Sequence, residues 1–401
     1  MKLIFVNRYF RPDLSATSQL LSDLALHLAR GGREVHVVTS RQRYEDAAAR
    51  LPAEEVIEGV RVHRVWTSRF GRGTLPGRAL DYLSFYLAAG LRLAALARTG
   101  DLVVAMTDPP LASLPAALAA RLRGARLINW LQDVFPEIAQ RLGLRVGGGV
   151  LGALARAARG YSLRAAALNI VLGDRMREVV ERLEPGCRER IAVIHNWADG
   201  RAIRPLPAQA SALRREWRCE GRFVVGYSGN FGRVHEFDTV VTAARALIAQ
   251  GDVIFSFTGG GYNMERLAAQ QLPNVLLHGY LPAERLADGL GSCDVHLVTL
   301  RPEVEGLVVP SKFYGIAAAG RPVIFVGDPR GEVAHMVRRA DCGLVVAAGD
   351  AAGLARAIVS LRDDASVRTA MGIRARAMFE ANYDRPQAMA LWEAAFARAG
   401  R

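Results

Sequence analysis

The chain has 401 residues, 51% of them apolar, and its 52 basic and 39 acidic side chains give a formal net charge of +13. This length allows two hydrophobic cores of ordinary domain size, roughly 100–200 residues each. The sequence contains no nucleic-acid-binding motif and no arginine block interleaved with aromatic residues, so we expect no nucleic-acid partner despite the positive charge.

The N-terminus, MKLIFVNRYFRPD, passes directly from a strand-like apolar run into charged residues, without the apolar region or cleavage site of a signal peptide. No run of about 18 consecutive apolar residues occurs, so we expect no membrane-spanning helix. The four cysteines, Cys187, Cys219, Cys293 and Cys342, are scattered without a C-x-x-C spacing. This usage is typical of buried thiols in a reducing compartment, and we expect a cytoplasmic protein.

The positive charge is uneven along the chain. Residues 1–200 hold 28 basic and 19 acidic side chains (+9), whereas residues 201–401 hold 24 and 20 (+4). One interpretation is an arginine-rich, solvated surface. The other is an N-terminal half that rests on an anionic membrane, where each basic residue near the surface adds about 1 kcal/mol. Residues 67–98 favour the second, because they place arginines beside an aromatic, leucine-rich helix. Packing of Tyr82, Phe85 and Tyr86 on a sheet is the alternative.

Short apolar strands alternate with Ala/Leu/Arg-rich helical stretches along the whole chain. The strands of the first half are KLIFVN, REVHVVTS, VRVHRVW, DLVVAM, RLINWL, ALNIVLG and IAVIHN. After a Pro- and Ala-containing linker, NWADGRAIRPLPAQA, the strands are RFVVGYSGN, VIFSFTGGG, NVLLHGY, VHLVTL, RPVIFV and GLVVAAGD. This alternation predicts an α/β protein with two Rossmann-like, doubly wound parallel-sheet domains, residues 1–200 and 201–383. We expect them to face a cleft, with ligands beyond the carboxyl ends of the strands.

Glycine-rich turns follow two successive strands of the second half. Their glycines let the backbone approach a ligand closely, and a following helix N-terminus offers N–H groups to an anion. Either turn alone could be an ordinary connection, but two at one sheet edge favour a phosphate site. The candidate residues are Ser228, Gly229, Asn230, Arg233, His235, Gly259, Gly260 and Gly261. The spacing matches neither the dinucleotide fingerprint nor a P-loop, which disfavours a nicotinamide cofactor and an NTPase.

Only two of the 52 basic residues are lysines, Lys2 and Lys312. In the loop after VHLVTL, Ser311 can cap a helix in which Lys312 is the first residue. A cation at that end of the helix dipole is unfavourable unless an anion binds beside it. A compact ammonium suits a diphosphate where a planar guanidinium would need more space. The alternative is that this one lysine is present by chance. Glu305, Pro310 and Ser311, in the loop before the helix, are further candidates for binding the ligand.

Polar residues also follow two strands of the first half. Ser15, Ala16 and Thr17 lead into the first helix after KLIFVN. Asp133 and Glu137 follow RLINWL among aromatic neighbours, which is unusual for acids unless they bind or react. A helix cap is the alternative role for Asp133.

The segments YSGNFGRVHEFDTVVTAA, FTGGG, NVLLHGYLPAERL and VPSKFYGIAAAGRPVI together resemble glycosyltransferase family 4 of the GT-B fold. TDPPLASLPAALAARLRGARLINWLQDVFPE and VIHNWAD resemble its bacterial branch for lipopolysaccharide O-antigen, capsular exopolysaccharide and colanic acid. The resemblance implies a retaining hexosyltransferase that needs no metal or other cofactor. The C-terminal domain would bind a nucleotide-diphosphate sugar, and the N-terminal domain a polyprenyl-diphosphate-linked glycan at the inner face of the cytoplasmic membrane. The last helix, residues 384–401, would cross back to the first domain.

By position, the resemblance places Asn230 and Arg233 at the diphosphate and gives Lys312 the family's phosphate lysine. Lys312, Arg233 and Asp133 are therefore the catalytic candidates, with Asp133 either a base or an acceptor-orienting group.

The sequence departs from the family at the Glu-x7-Glu motif, whose acids fall on Leu307 and Gly315, while Glu303 and Glu305 lie nearby out of register. The ribose contact and the nucleotide base stay open. A GT-B nucleotide-sugar epimerase and a non-catalytic GT-B scaffold are the competing interpretations.

Overall fold

The computed structural model describes residues 1–44, 46, 48–71, 75–144 and 148–401. Its contacts divide the chain into two compact units. Unit 1 comprises Met1–His195 and Met389–Arg401, and unit 2 comprises Asn196–Ala388. The boundary at Asn196 is the first residue of the Pro- and Ala-containing segment NWADGRAIRPLPAQA.

Unit 1 is built on an eight-stranded sheet. The strands are β1 (Leu3–Val6), β2 (Val35–Ser40), β3 (Glu54–Ile57), β4 (Val60–Val65), β5 (Leu102–Met106), β6 (Arg126–Trp130), β7 (Leu168–Val171) and β8 (Ile191–Val193). The helices are α1 (Ala16–Arg30), α2 (Leu75–Leu96), α3 (Ser113–Arg123), α4 (Glu137–Arg141), α5 (Gly149–Ala165) and α6 (Asp174–Leu183). The strand order is β3-β4-β2-β1-β5-β6-β7-β8, so the winding reverses at β1.

Burial on both faces explains the central strands of this sheet. Every residue of β1, β2 and β5 is buried, as expected for apolar strands covered by helices on both sides. The exception is β3, an antiparallel edge strand joined to β4 through Glu58 and Gly59, both with positive φ. Its sequence, EEVI, begins with two acids, and its residues are exposed or half-buried. The sequence pattern missed β3 because charged edge strands lack an apolar run.

Unit 2 is built on a six-stranded, wholly parallel sheet of order β11-β10-β9-β12-β13-β14. The strands are β9 (Phe223–Asn230), β10 (Val253–Gly260), β11 (Val275–His278), β12 (Val295–Thr299), β13 (Val323–Gly327) and β14 (Gly343–Ala347). The helices are α7 (Ala212–Glu216), α8 (Asp238–Ala246), α9 (Tyr262–Ala268), α10 (Leu286–Gly291), α11 (Lys312–Ala318), α12 (Glu332–Ala340), α13 (Ala351–Asp363) and α14 (Ala365–Asn382). The winding reverses at β9, which lies between β10 and β12, so a ligand site is expected at its carboxyl end.

The last helix, α15 (Arg385–Gly400), adds its residues from Met389 onward to the core of unit 1. The indole rings of Trp392 and Trp130 lie 4.6 Å apart edge to face, and Phe396 packs against Phe5 of β1 at 6.3 Å between ring centroids. Arg126 at the start of β6 donates a hydrogen bond to the carbonyl of Ala399 at 2.9 Å. The C-terminal turns of α15 therefore belong to the same core as β1 and β6.

All four cysteines are free and buried, as their scattered spacing predicts.

The expectation that no helix could span a membrane is wrong, because one helix is long and apolar enough to do so. Pro76–Leu96 of α2 has a mean hydropathy of 1.3 over an 18-residue window. Charged residues such as Asp81 and Arg92 interrupt the apolar run without lowering that mean enough. Phe85, Ala89 and Leu93 of this helix nevertheless lie in the core of unit 1.

Replacing Trp392 with Ala should lower the free energy of unfolding of unit 1 by about 3–5 kcal/mol, because the cavity would open between β1, β6 and α15. The matched control is Leu391→Ala on the exposed side of the same helix, which should cost less than about 1 kcal/mol. Urea unfolding followed by tryptophan fluorescence and circular dichroism measures both. Equal stability of the two variants would contradict the packing of α15.

Candidate functional site

The two glycine turns of unit 2 lie side by side. Strands β9 and β10 are paired to their last residues, with Gly229 opposite Gly259 and Asn230 opposite Gly260. Beyond the sheet, the backbone N–H of Phe231 donates to the carbonyl of Gly260 at 2.8 Å. Both turns therefore open at one edge, as the order of the strand–helix units predicts.

Two of these glycines are required by close backbone approach. Gly259 has φ +139°, and a Cβ there would overlap the carbonyl of Gly229. Gly261 has φ +126°, and its Cβ would overlap the side-chain oxygen of Asn230. These values of φ are rarely adopted by residues with a side chain. The turns thus present bare backbone at the carboxyl end of the sheet.

Lys312, the first residue of α11, brings its side chain to the first turn. Its Cε lies 3.7 Å from where a Cβ of Gly229 would stand. Its ammonium lies 3.0 Å from Nε2 of His235 and 4.7 Å from the ring centroid of Tyr227. Burial lowers the pKa of Lys312 to about 7, and no carboxylate contributes to that pKa. Within the described part of the chain, this is a desolvated cation beside a bare glycine turn, and it lacks a counter-charge.

Arg233 follows the same turn but lies outward. It is exposed, and its guanidinium carbon is 3.6 Å from the ring centroid of Tyr262 at the start of α9. Stacking of a guanidinium on an aromatic face orients its N–H groups while leaving them free to bind.

Two other side chains at this edge escaped the sequence reasoning. The hydroxyl of Tyr280 donates to the carbonyl of Gly260 at 3.3 Å, and the Nε–H of Arg301 donates to the carbonyl of His235 at 3.5 Å. Each residue lies two positions after the end of a strand, which is the signal in the sequence that could have indicated them.

The expectation that the helix after the first turn offers N–H groups to an anion is wrong for α8. The backbone N–H of Thr239 donates to both carboxylate oxygens of Glu236 at 3.2 Å. Asp238 adds a second acid in the first turn. Negative charge already occupies the positive end of this helix dipole, so a phosphate would be repelled there.

The loop before α11 contains the remaining candidates. Ser311 stands at the N-cap position but makes no side-chain cap, and Pro310 is buried. One carboxylate oxygen of Glu305 accepts from the backbone N–H of Glu332 at 2.9 Å, while Oε2 is buried without a partner among the described residues. Burial raises the pKa of Glu305. A Cβ on Gly315 would lie 3.5 Å from Leu290 Cδ1, so the place of the family's second acid faces an apolar side chain.

Unit 1 contains a buried acid at the carboxyl end of β6. The pKa of Asp133 is raised to about 7, mainly by burial and to a smaller extent by the nearby charge of Asp108, although a hydrogen bond with Thr107 opposes the rise. Its Oδ1 is buried with no partner in the described ranges. A carboxyl group of this kind exchanges its proton near neutral pH and has a free oxygen for a ligand hydroxyl.

The other expected acceptor-side residues occupy two places. Ser15, Ala16 and Thr17 form the beginning of α1, and the backbone N–H of Ser15 donates to Asp13 at 2.8 Å. Glu137, the first residue of α4, accepts from Arg159 at 2.7 Å in an ion pair that is nearly buried.

Arg8, which directly follows β1, was not singled out from the sequence. It is buried between Gln42, Asp81 and the ring of Tyr82, and its Nε has no partner among described residues.

The chain is similar in sequence and in fold to known glycosyltransferases. A family model described as "Glycosyl transferase 4-like domain" matches residues 17–197, and one described as "Glycosyl transferases group 1" matches residues 222–364. The solved structure of HepE from Anabaena in complex with UDP-glucose superposes with a TM-score of 0.73 at 16% identity, covering 99% of each chain. The two α/β units and these matches thus define a glycosyltransferase of the GT-B fold.

Curated relatives span most of the chain. A GDP-mannose-dependent alpha-mannosyltransferase of Mycobacterium tuberculosis is 27% identical over 82% of this chain and 80% of its own. The putative colanic acid biosynthesis glycosyl transferase WcaI of Escherichia coli is 24% identical over 84% of this chain and 86% of its own. The two family matches together cover most of the sequence. The chain belongs to glycosyltransferase family 4 and is a hexosyltransferase.

Replacing Asp133 with Asn should stabilise unit 1 in a pH-dependent way. Between about pH 4 and 7 the folded protein keeps a proton that the unfolded chain has released, so the stability of the wild type falls as pH rises. Asn does not titrate, and its advantage should grow by at most about 1.4 kcal/mol per pH unit across that window.

Urea unfolding of both proteins at several pH values measures this difference. Glu189→Gln, at an exposed position of the same unit, is the control and should follow the wild type. Parallel pH profiles for Asp133→Asn and the wild type would contradict a raised pKa at Asp133.

Proposed function

We propose that the protein is a retaining, metal-independent hexosyltransferase of bacterial surface-polysaccharide biosynthesis. It transfers a sugar from a nucleotide-diphosphate sugar to a glycan carried on polyprenyl diphosphate, at the cytoplasmic face of the membrane. Two similarities support the substrates: HepE binds UDP-glucose, and the name of WcaI refers to colanic acid.

The observation that carries the proposal is the desolvated ammonium of Lys312 beside Gly229. A buried cation without a carboxylate partner is unfavourable unless an anion arrives, and a diphosphate supplies that anion. When the bond between the anomeric carbon and the phosphate oxygen breaks, negative charge grows on the leaving diphosphate. A preorganised ammonium stabilises this charge in a water-excluded site. Arg233, oriented on Tyr262, adds a second positive group.

Other candidates take supporting roles in this proposal. Ser228, Asn230 and the glycines of both turns line the diphosphate with backbone and small polar groups. The unpartnered Oε2 of Glu305 is an acceptor for a hydroxyl of the donor sugar. In unit 1, the unpartnered Oδ1 of Asp133 accepts from the acceptor hydroxyl, either to orient it or to remove its proton.

An exposed apolar surface of unit 1 supports membrane contact. Helix α2 packs on α3, and α3 packs on α5. All three expose large apolar side chains: Leu80, Leu83, Leu87, Leu91, Leu118, Leu122, Val150, Leu151 and Leu154. We call this set the leucine face. Trp66 and Phe70, before α2, are also exposed. Large apolar side chains exposed together mark an interaction site, and aromatic residues favour the membrane interface.

The structure corrects which side chains of the segment 67–98 face outward. Phe85 is buried in the core, and the hydroxyl of Tyr86 donates to the carbonyl of Pro110, so these aromatic side chains pack inward as the alternative interpretation held. Four leucines of α2 are exposed instead, namely Leu80, Leu83, Leu87 and Leu91. The same elements also carry exposed arginines: Arg69 precedes α2, Arg98 follows it and Arg121 lies in α3. Positive side chains of this kind would attract anionic lipid. Residues 72–74 of this segment lie outside the described residues.

Replacing Lys312 with Ala should reduce transfer by the equivalent of about 2.7–4 kcal/mol of transition-state stabilisation. Lys312→Arg should restore little of the transfer rate, since a planar guanidinium needs more space beside Gly229 and Tyr227 than the compact ammonium does. Release of nucleoside diphosphate from UDP- and GDP-hexoses, with acceptor present, measures the rate, and NMR of the product gives the anomeric configuration.

The control for Lys312 is Arg339→Ala, at an exposed position of α12. Wild-type turnover in Lys312→Ala would contradict the assignment. Conversion of the nucleotide sugar to its epimer without diphosphate release would instead support the epimerase.

Activity should survive excess EDTA, because Lys312 and Arg233 supply the positive charge that a metal ion supplies in other transferases. The measurement is the same diphosphate-release assay before and after dialysis against EDTA. Loss of activity that Mg²⁺ or Mn²⁺ restores would contradict metal independence.

The protein should sediment with vesicles that contain phosphatidylglycerol, and less with neutral vesicles. Salt should weaken the association, because the Debye length falls from about 10 Å at 0.1 M to about 3 Å at 1 M. Replacing Leu83, Leu87 and Leu91 together with Gln should reduce binding at least about tenfold, since each buried leucine contributes about 1.5–3 kcal/mol.

The matched control is Ile373→Gln, which removes an exposed apolar side chain from α14 of unit 2. Equal sedimentation of the triple variant and this control would exclude the leucine face as the contact. If the wild type sediments with neither kind of vesicle, the proposed membrane contact is wrong.

A further inference from the structure

His235 contacts the side chain of Lys312 and is almost completely buried, with 7% of its surface exposed. Its Nδ1 is 2.7 Å from the carbonyl oxygen of Thr299, the last residue of β12. Its Nε2 is 3.0 Å from the ammonium of Lys312. Both ring nitrogens are therefore used within unit 2, so the imidazole has no polar atom left for a donor substrate.

These contacts determine the tautomer of the ring. A carbonyl oxygen only accepts hydrogen bonds, so Nδ1 must hold the ring proton and donate to Thr299. Burial, and then the charge of Lys312, lower the pKa of His235 well below its ordinary value, so the ring stays neutral. Nε2 consequently has a free lone pair and accepts one N–H of Lys312.

Other groups beside the ammonium come from β9 and the glycine turn that follows it. Tyr227 of β9 faces it with its aromatic ring, and His235 faces it from the loop after β9. The side chain of Lys312 passes Gly229, which has no side chain. No acid on β9, β12 or α11 contributes to the pKa of Lys312 within the described residues. An ammonium has three N–H groups, so two are left for a ligand at the glycine turn.

We propose that His235 is a positioning residue that accepts one N–H of Lys312 and thereby aims the other two at the diphosphate of the donor. This inference rests on the proposed function and changes the role expected for His235 from the sequence. It acts through Lys312 and does not contact the donor itself. Holding a flexible lysine in its binding position before the donor arrives reduces the entropy lost on binding.

The chain offers an unusually direct test, because it contains only two lysines. Protein with isotope-labelled lysine side chains should give two ammonium-adjacent NMR signals, and Lys312→Arg assigns them. Lys2 serves as the internal control. The variants are His235→Leu, which removes the acceptor at similar volume, and His235→Gln, which keeps one donor and one acceptor. Circular dichroism checks that each variant is folded.

Without any ligand, His235→Leu should move the titration midpoint of Lys312 to lower pH by about one pH unit or more, because an accepted hydrogen bond favours the charged ammonium. His235→Gln should restore most of the wild-type midpoint, and the signal of Lys2 should not change. Unchanged titration of Lys312 in His235→Leu would overturn the inference.

The second arm titrates UDP and GDP, each compared with its nucleoside, uridine or guanosine. His235→Leu should weaken the binding of whichever nucleoside diphosphate the wild type binds by about 10- to 100-fold. The affinity for the corresponding nucleoside should not change. In the background of Lys312→Met, the same substitution should have no further effect. Equal weakening of diphosphate and nucleoside, or additive losses in the double variant, would overturn the positioning role.

The two arms separate this inference from the proposed function. If neither UDP nor GDP moves the Lys312 signal of the wild type, the proposed diphosphate site is wrong. The positioning role of His235 is then wrong as well. If a nucleoside diphosphate moves that signal and His235→Leu behaves as wild type in both arms, the donor site stands and His235 is not its positioning residue.

Discussion

The site of unit 2 depends on one constraint, the burial of the Lys312 ammonium without a carboxylate to neutralise it. Desolvation alone lowers its pKa to about 7, so the folded protein keeps this group in an environment that favours the neutral amine. Two features make the position tolerable: the imidazole of His235 accepts one N–H, and the ring of Tyr227 faces the charge. An anion at the Gly229 turn would complete the coordination.

The sheet explains why these groups meet. The winding reverses at β9, so the carboxyl ends of β9, β10 and β12 lie together, and His235 and Lys312 each follow one of these strands. Unit 1 contains the complementary case in Asp133, a buried carboxyl whose pKa burial raises to about 7. Charged groups that are destabilised by burial cluster at functional sites, because a ligand can recover the lost solvation.

The sequence predicted most of the fold, because buried parallel strands are apolar runs of characteristic length. It also placed the two glycine turns correctly, since strand order determines which edge they share. It missed β3, a short edge strand whose EEVI sequence contains two acids and no buried residue, so it lacks an apolar run. It assigned anion binding to the start of α8, where Glu236 already caps the helix. A cap of this kind depends on side-chain direction, which spacing along the chain does not determine.

The role of His235 escaped the sequence for a related reason. A histidine in a glycine-rich turn is equally compatible with direct ligand contact and with support of a neighbour. Only the carbonyl of Thr299, which is 64 residues away in the chain, decides between them. The exposed side of α2 is a similar case, because leucines and aromatic residues are interspersed along the helix and the elements packed against it determine which of them are covered.

The most direct test of the account is a crystal structure with the nucleoside diphosphate that binds in solution. The account predicts a phosphate oxygen within about 2.7–3.2 Å of the Lys312 ammonium, with the diphosphate against Gly229 and His235 still bonded to Thr299. A nucleotide bound elsewhere, with the Lys312 ammonium more than about 6 Å from any phosphate oxygen and so beyond hydrogen-bond reach, would contradict it.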